Sequence, residues 1–230
     1  MEKEFGLPTY VDNNLTATAL AFKWLHPNND YKNFILLSIR SGIRLSMFLN
    51  NQLFQGSTNT AGEIGHIPVP GSTRRCGCGK KGCLDSEASN IAIHTKILEG
   101  IQHNRFEDLY NMVGRDVSKI TIEAFVKSFL LGHLDSVELF DEVCDYIGLA
   151  ISTVVNIINP SRIIISGPIT MAGQKLLQNL SEKLIKYSIF VSVENLSLEI
   201  SETKEYINTL GAAMIVMQEK FTCEPEFDQT

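Results

Sequence analysis

The chain has 230 residues, of which 44% are hydrophobic and 20% are charged, and its formal net charge is −6. This composition is enough for one large globular domain or two small ones. The negative net charge argues against a surface that binds nucleic acid, because such a surface needs clustered Lys and Arg. No stretch reaches the roughly 20 consecutive apolar residues that a membrane-spanning helix needs.

The first third of the chain predicts a helix followed by an antiparallel sheet. Asp12 or Asn13 can cap a helix that runs to about Trp24 and stops before Pro27. Short apolar or alternating runs predict a β-meander with strands at 33–39, 43–49 and 52–54, and a further strand is predicted at 64–69. Asn50 and Asn51 predict a turn within this meander.

The rest of the chain predicts helices that alternate with strands. The helical runs are 91–98, 122–131, 136–158, 172–187 and 210–221. Two apolar strands are expected at 162–166 and 196–201. Strands separated by helices pair in parallel, so the pattern predicts an α/β domain.

One segment has the pattern of a metal site. Gly62-Glu-Ile-Gly-His66 is followed, after nine residues, by Cys76, Cys78 and Cys83, with glycines between the cysteines. One His and three Cys are a common tetrahedral zinc set, and four protein ligands leave no open position for catalysis. Glycines let so short a loop fold back on itself. The alternative to a zinc site is that the three cysteines are free thiols and that the His is unrelated to them.

The other residues around this segment fit the same interpretation. The basic residues of the loop are expected to offset part of the thiolate charge: Arg74, Arg75, Lys80 and Lys81. Cys144 and Cys223 stand alone, and each is expected to be an isolated thiol. An odd count of five cysteines and the lack of an apolar leader in residues 1–4 predict a cytoplasmic protein.

Residues 62–83 resemble the signature of the ROK family of repressors, open reading frames and sugar kinases, in which Gly-Glu-x-Gly-His precedes Cys-x-Cys-Gly-x-x-Gly-Cys-x-Glu. Residues 8–14 are similar to the family's strand that ends in Asn-Asp, residues 146–167 to its helix, Asn-Pro turn and strand, and residues 210–213 to its final helix. The resemblance implies an α/β fold, the C-terminal lobe of an actin-like ATPase (ribonuclease H-like), with a zinc loop at 66–83.

The resemblance also implies how the chain is divided. Residues 1–32 would be a remnant of the N-terminal lobe with the connecting helix, and most of that lobe would be missing. Residues 33–222 would form the C-terminal lobe, and 223–230 a frayed tail. The chain is therefore expected to be a fragment or a shortened gene product.

By the same resemblance, five residues would bind a hexose: Asn13, Asn14, Glu63, His66 and Asp85. Amides and carboxylates supply the paired donors and acceptors that sugar hydroxyls need. His66 could give one ring nitrogen to zinc and the other to the sugar. The alternatives are helix caps for Asn13, Asn14 and Asp85, and a solvated carboxylate for Glu63.

Several positions depart from the kinases of this family. Asn14 stands where a kinase has the Asp that deprotonates the sugar, so no catalytic residue is predicted. Arg40, Arg44 and Ser46 replace glycines of a phosphate-binding hairpin, so ATP binding is not expected. The two arginines could instead attract an anion, or be merely solvated.

Three functions are consistent with these residues. The preferred one is a sugar-binding, zinc-stabilised effector domain of a ROK-type transcriptional regulator without kinase activity. The alternatives are an ATP-dependent sugar kinase, of the glucokinase or N-acetylhexosamine kinase type, and a purely structural zinc module. The expected partners are a sugar or sugar derivative and a second copy of the chain in a homodimer, with no nucleic acid or membrane bound by this chain.

Overall fold

A five-stranded mixed sheet forms the centre of the computed structural model, which describes residues 2–26, 31–201 and 207–221. The strands are β1 (Phe34–Ile39), β2 (Ile43–Leu49), β3 (Gln52–Phe54), β4 (Arg162–Ser166) and β5 (Ser197–Ile200). Their order across the sheet is β3-β2-β1-β4-β5. β2 is antiparallel to β1 and β3, whereas β4 is parallel to β1 and β5. The predicted meander and the predicted parallel pairing are both confirmed.

The helices lie before, between and after these strands. They are α1 (Glu2–Phe5), α2 (Asn14–Leu25), α3 (Asp85–Ala88), α4 (Asn90–Gln102), α5 (Glu107–Met112), α6 (Ile122–Leu130), α7 (Leu134–Ile158), α8 (Gln174–Tyr187), α9 (Phe190–Val193) and α10 (Ile207–Phe221). Among the helices that the structure describes, none combines the length and the apolar character needed to cross a lipid bilayer. The predicted tail 223–230, with Cys223, lies outside the described residues, as does Pro27.

Two apolar layers cover the sheet because alternate residues of each strand face opposite sides. From β1, Ile35, Leu37 and Ile39 face the larger core, which α4, α6, α7 and α8 complete. Phe34 and Leu36 face the smaller core, where α2 and α10 pack. The ring of Phe34 stacks on that of Phe48 with centroids 5.0 Å apart. α2 therefore joins the sheet's own core, and the predicted boundary near residue 32 stays a prediction.

Two predicted strands are wrong. Residues 64–66 form a 3-10 helix, and Pro68 makes only an isolated bridge with Cys83. The backbone N–H groups of His66 and Ile67 bond locally, to Glu63 O and Ile64 O, so they cannot join a ladder. Residues 8–13 are irregular and mostly exposed, and within the described ranges they have no strand partner.

The other boundaries are close to those predicted. α7 starts two residues earlier than expected, and it ends where Asn159 adopts a left-handed conformation with φ 49°. Residues 168–172 form a 3-10 helix, so α8 starts at Gln174 and not at Ala172. A wholly buried thiol at Cys144 on α7 fits the isolated role predicted for it.

Candidate functional site

A cavity of about 500 Å³ lies where the carboxyl ends of β1 and β4 meet the start of α2. Its lining residues are Asn13, Asn14, Leu15, Thr18, Ser38, Arg40, Ser41, Gly42, Arg44, His66, Asp85 and Ser166. Four of the five predicted sugar ligands are among them. The volume falls within the range of about 300–1,000 Å³ usual for small-molecule sites.

The start of α2 places the two asparagines. Asn13 is the N-cap, and its side-chain oxygen accepts a hydrogen bond from the backbone N–H of Leu15 at 2.9 Å. The cap interpretation of Asn13 is therefore confirmed, and its amide NH₂ remains available as a donor to a ligand. Asn14 is the first residue of the helix and lines the same cavity. Its amide can donate and accept hydrogen bonds, but it cannot take up a proton near neutral pH.

The carboxylate of Asp85 is fixed between the β1–β2 turn and the metal loop. Its Oδ1 accepts a hydrogen bond from the backbone N–H of Ile43 at 2.7 Å, and its Oδ2 lies 3.9 Å from Nδ1 of His66. Asp85 does not cap α3 with its side chain, so that alternative is wrong. The arrangement requires Gly65, since a Cβ there would lie 2.1 Å from Oδ1 of Asp85.

Glu63, the fifth predicted sugar ligand, lines a smaller cavity of about 30 Å³ and not the 500 Å³ one. One of its carboxylate oxygens is 3.2 Å from the Arg44 guanidinium, and the other is 3.8 Å from Nε2 of His66. The charge of Arg44 is thus matched by Glu63. Ser46, buried in β2, lines the smaller cavity as well.

Four potential metal ligands converge beside the cavity. The donor atoms of His66, Cys76, Cys78 and Cys83 all lie within 4.8 Å of one another. Nδ1 of His66 is 3.7 Å from Sγ of Cys76, and Sγ of Cys78 is 3.6 Å from Sγ of Cys83. With zinc bonds of about 2.0–2.3 Å, tetrahedral ligands are separated by about 3.3–3.8 Å. The two measured pairs fit this spacing, and a cluster that could bind a metal is therefore present.

The loop's backbone explains how three thiols come to face one point. Arg75 and Lys81 form a bridge, and the N–H of Cys76 donates to Lys80 O at 2.8 Å, so the segment turns back tightly. Gly82 has φ +75°, and a Cβ there would lie 2.7 Å from Ser72 O. A side chain at position 82 would therefore push the two halves of the loop apart.

The thiols of the loop differ in their acidity. Burial raises the pKa of the Cys83 thiol to about 12. A hydrogen bond with the backbone of Lys80, followed by one with Cys76, lowers the pKa of the exposed Cys78 thiol. The buried Cys83 therefore needs a cation beside it to become a thiolate, and a bound metal ion supplies that charge.

A charged network attaches this loop to the helices, and it was not predicted from the sequence. Glu87, only 5% exposed, accepts a hydrogen bond from Ser72 and pairs with Lys96 at 2.7 Å. Arg74 forms a two-pronged contact with Glu99, at 2.6 and 3.1 Å, which raises the pKa of the Arg74 guanidinium. Arg74 is thus paired with a carboxylate, and the expectation that it also offsets thiolate charge stays a prediction.

Sequence reasoning also missed the hydroxyl groups of the cavity. Ser38 and Ser166 lie at the carboxyl ends of β1 and β4, and Ser41 lies in the turn after β1. Ligands of parallel sheets bind at the carboxyl ends of the strands. Both strands had been predicted from the sequence, so this rule could have identified Ser38 and Ser166.

Comparison with known proteins places these features in one family. A sequence model of the ROK family matches residues 1–219. The xylose repressor of Caldicellulosiruptor bescii is 29% identical over 99% of this chain and 56% of the repressor. The glucokinase of Halalkalibacterium halodurans is 28% identical over 97% of this chain and 68% of the kinase. The chain spans about half the length of the curated repressors it matches.

Solved structures of ROK family proteins also match this chain. A crystal structure of a ROK family transcriptional regulator, a homologue of the E. coli MLC protein, matches with a TM-score of 0.82 and 32% identity. The match covers 93% of this chain and 53% of that chain. A ROK family glucokinase from Streptomyces griseus, in complex with glucose and AMPPNP, has a TM-score of 0.78 at 21% identity and 93% coverage of this chain. The α/β fold of this protein is thus the fold of ROK structures.

Proposed function

This chain belongs to the ROK family, and from that premise we propose that it is the sugar-sensing part of a transcriptional regulator and not a sugar kinase. Its ligand would be a sugar or sugar derivative bound in the 500 Å³ cavity. Occupancy of the cavity would be passed to a DNA-binding part, because the net charge of −6 does not suit this chain itself to a phosphate backbone. The cytoplasmic location and the homodimeric state stay predictions.

The observation that carries the proposal is the convergence of Asn13, Asn14, His66 and Asp85 on one cavity. The two amides and the carboxylate offer donors and acceptors in fixed positions, which suits the hydroxyls of a pyranose or furanose ring. Asp85 is held by the N–H of Ile43, so its geometry does not depend on the ligand. Such preorganisation lowers the entropic cost of binding.

Zinc would organise this site without taking part in chemistry. If Nδ1 of His66 binds the metal beside Cys76, its Nε2 is left to donate toward Glu63 and the cavity. The 3.8 Å between Nε2 and the Glu63 carboxylate is too long for a hydrogen bond. A sugar hydroxyl could therefore accept from His66 and donate to Glu63.

Loss of kinase activity is proposed because an amide, that of Asn14, stands where the kinases of the family have a carboxylate base. Asn14 cannot deprotonate a hydroxyl, and general-base assistance of about 10²–10⁴-fold in rate would be lost. Within the described residues the cavity has one carboxylate, that of Asp85, and one of its oxygens is occupied by Ile43. Arg40 and Arg44 also put side chains at the hairpin where a nucleotide would need bare backbone.

Calorimetry on zinc-loaded protein tests sugar binding, with xylose, glucose and N-acetylglucosamine as probes. At least one probe should bind, and Asp85→Asn should weaken it about tenfold or more, as expected when a ligand loses a charged hydrogen-bond partner. Asp108→Asn, at an exposed position on α5, is the matched control and should leave the affinity unchanged. Zinc bound at one ion per chain with no heat from any sugar would instead support the purely structural module.

A coupled assay for ADP release distinguishes the regulator from the kinase. The kinase remains the second candidate because the glucokinase relative is nearly as similar to this chain as the xylose repressor is. With ATP, magnesium and each sugar, we expect no turnover above background. Turnover above roughly 1 s⁻¹, the ordinary lower range for enzymes, would refute the assignment as a regulator.

A further inference from the structure

We propose that a second cavity beside the metal loop binds a second sugar ring, so that the preferred ligand of this protein is a disaccharide or a longer glycoside. This inference rests on the proposed sugar-binding function and adds the chemical class of the ligand. The second cavity has a volume of about 600 Å³. It lies between the metal loop, at Arg75 and Cys76, and the first turns of α4, at Ile91 and Thr95. Arg75, Ile91 and Thr95 were not predicted to bind a sugar.

The second cavity adjoins the sugar cavity, because Ser41, His66 and Asp85 line both. A sugar hydroxyl held by His66 and Asp85 therefore lies at the boundary between the two cavities. A substituent on that hydroxyl would extend into the second cavity. Each cavity alone has the volume usual for a drug-sized ligand, so a single sugar ring fills one of them at most.

Two serines that line the second cavity give it a donor and an acceptor. Ser89 is only 2% exposed, and its Oγ accepts a hydrogen bond from the N–H of Ala92 at 3.2 Å. In the part of the chain that the structure describes, the Ser89 O–H donates to no protein acceptor. The Ser86 hydroxyl donates to Cys83 O at 2.7 Å, so its lone pairs are left to accept. A ligand hydroxyl both donates and accepts, so it suits this pair.

The α4 wall and the metal loop supply the remaining contacts. Ile91 and Thr95 are one turn apart on α4 and lie on the same face of the helix. Ile91 is 61% exposed, and the apolar C–H face of a sugar ring would remove its side chain from water. Over residues 2–26, 31–201 and 207–221, no carboxylate lies within 4.0 Å of the exposed Arg75 guanidinium. The N–H groups of Arg75 can therefore donate to ring hydroxyls.

Other substituents suit the second cavity less well. An alkyl or aryl group would cover Ser86 and Ser89 without giving the Ser89 O–H an acceptor, and burial of an unpaired polar group costs free energy. An anionic group would meet the Asp85 carboxylate and the thiolates of a metal-loaded loop. A neutral ring with several hydroxyls avoids both costs. The chemistry of the second cavity therefore favours a second sugar ring.

The test is calorimetry on zinc-loaded protein with matched pairs of sugars. The pairs are xylose with xylobiose, glucose with cellobiose, glucose with maltose, and N-acetylglucosamine with diacetylchitobiose. The compound 4-nitrophenyl glucoside is added as an aryl glycoside. We expect at least one disaccharide to bind about tenfold or more tightly than its monosaccharide, the change that one or two additional hydrogen bonds provide.

Two variants block the second cavity without changing a metal ligand. Thr95→Trp and Ile91→Trp each place a large ring in the second cavity from α4, and each should abolish the preference for the disaccharide. Both positions are exposed, so the fold should tolerate the change. Gln102→Trp is the matched control, because it introduces the same side chain at an exposed position of α4 outside the second cavity, and it should keep the preference. Zinc content and thermal unfolding establish that each variant is loaded and folded.

The results separate the two claims. Equal or weaker binding of every disaccharide, with a monosaccharide still bound, would overturn the second-ring inference and leave the sugar-binding proposal intact. A full preference retained in both Thr95→Trp and Ile91→Trp would also overturn it. A gain in affinity for the aryl glucoside alone would assign the second cavity to an apolar group and overturn the inference. If no sugar of either kind binds, both claims fail.

Discussion

Replacement of Glu87 by Gln should weaken the attachment of the metal loop to the helices. The Glu87 carboxylate, 5% exposed, contacts Ser72 of the loop and Lys96 of α4 at 2.7 Å. Breaking a buried ion pair costs about 3–5 kcal/mol when a charge is left alone. Lys96 retains Glu142 at 2.8 Å, and Gln can still accept from Ser72, so we expect a smaller loss of about 1–3 kcal/mol in the free energy of unfolding.

Urea unfolding of zinc-loaded protein measures this loss, and transfer of zinc to a chelator should be faster in Glu87→Gln. Glu142→Gln is the matched control, because it removes a carboxylate from the same Lys96 Nζ. The Glu142 side chain is 45% exposed, so its loss should cost only about 0–1 kcal/mol. Equal destabilisation by the two variants would refute the argument that burial of Glu87 makes its ion pair important.

Three further outcomes follow from the site. Gly65→Ala should weaken both sugar binding and the stability of the fold, because the new Cβ would lie 2.1 Å from the Asp85 carboxylate. Gly77→Ala is the control and should be neutral, because a Cβ at position 77 has open space around it. Calorimetry measures the sugar affinity of the two variants, and thermal unfolding measures their stability. Cys83→Ser should release the metal, which zinc quantitation would detect, and full zinc retention would contradict the ligand assignment. Asn14→Asp alone should not produce ADP release in the coupled assay, because Arg40 still replaces a glycine of the phosphate-binding hairpin. Measurable phosphorylation of a sugar by this variant would contradict that expectation.

Much of the fold could be predicted because its strands and main helices have strong local patterns. The apolar run at 162–166 matches β4 at both ends, and Asn159 ends α7 as the Asn-Pro turn indicated. Parallel pairing followed from the alternation of helices with strands. Residues 64–69 were wrongly predicted to form a strand, because Ile, Pro and Val there give the apolar pattern of one. Local hydrogen bonds make residues 64–66 a 3-10 helix instead.

The site was predicted where residue types and their spacing identify the chemistry, as in the metal loop, or where the family resemblance supplied the positions, as for Asn13, Asn14 and Asp85. The spacing of His66, Cys76, Cys78 and Cys83 anticipated a cluster that the structure brings together. The pairing of Arg44 with Glu63 could not be predicted, because it depends on how the 3-10 helix at 64–66 lies against β2. Long-range ion pairs leave no periodic trace in a sequence, and the network around Glu87 was missed for that reason.

The most direct test of the account is a calorimetric titration of one sugar probe into zinc-loaded and zinc-stripped protein under the same conditions. If a bound metal fixes His66 beside Asp85 and the asparagines, removal of the metal should weaken sugar binding by about tenfold or more, as expected when partners that orient a functional imidazole are lost. The predicted result is tight binding to the loaded form and weak binding to the stripped form. Equal affinity for folded forms of both would contradict the claim that a metal-held imidazole organises the sugar site.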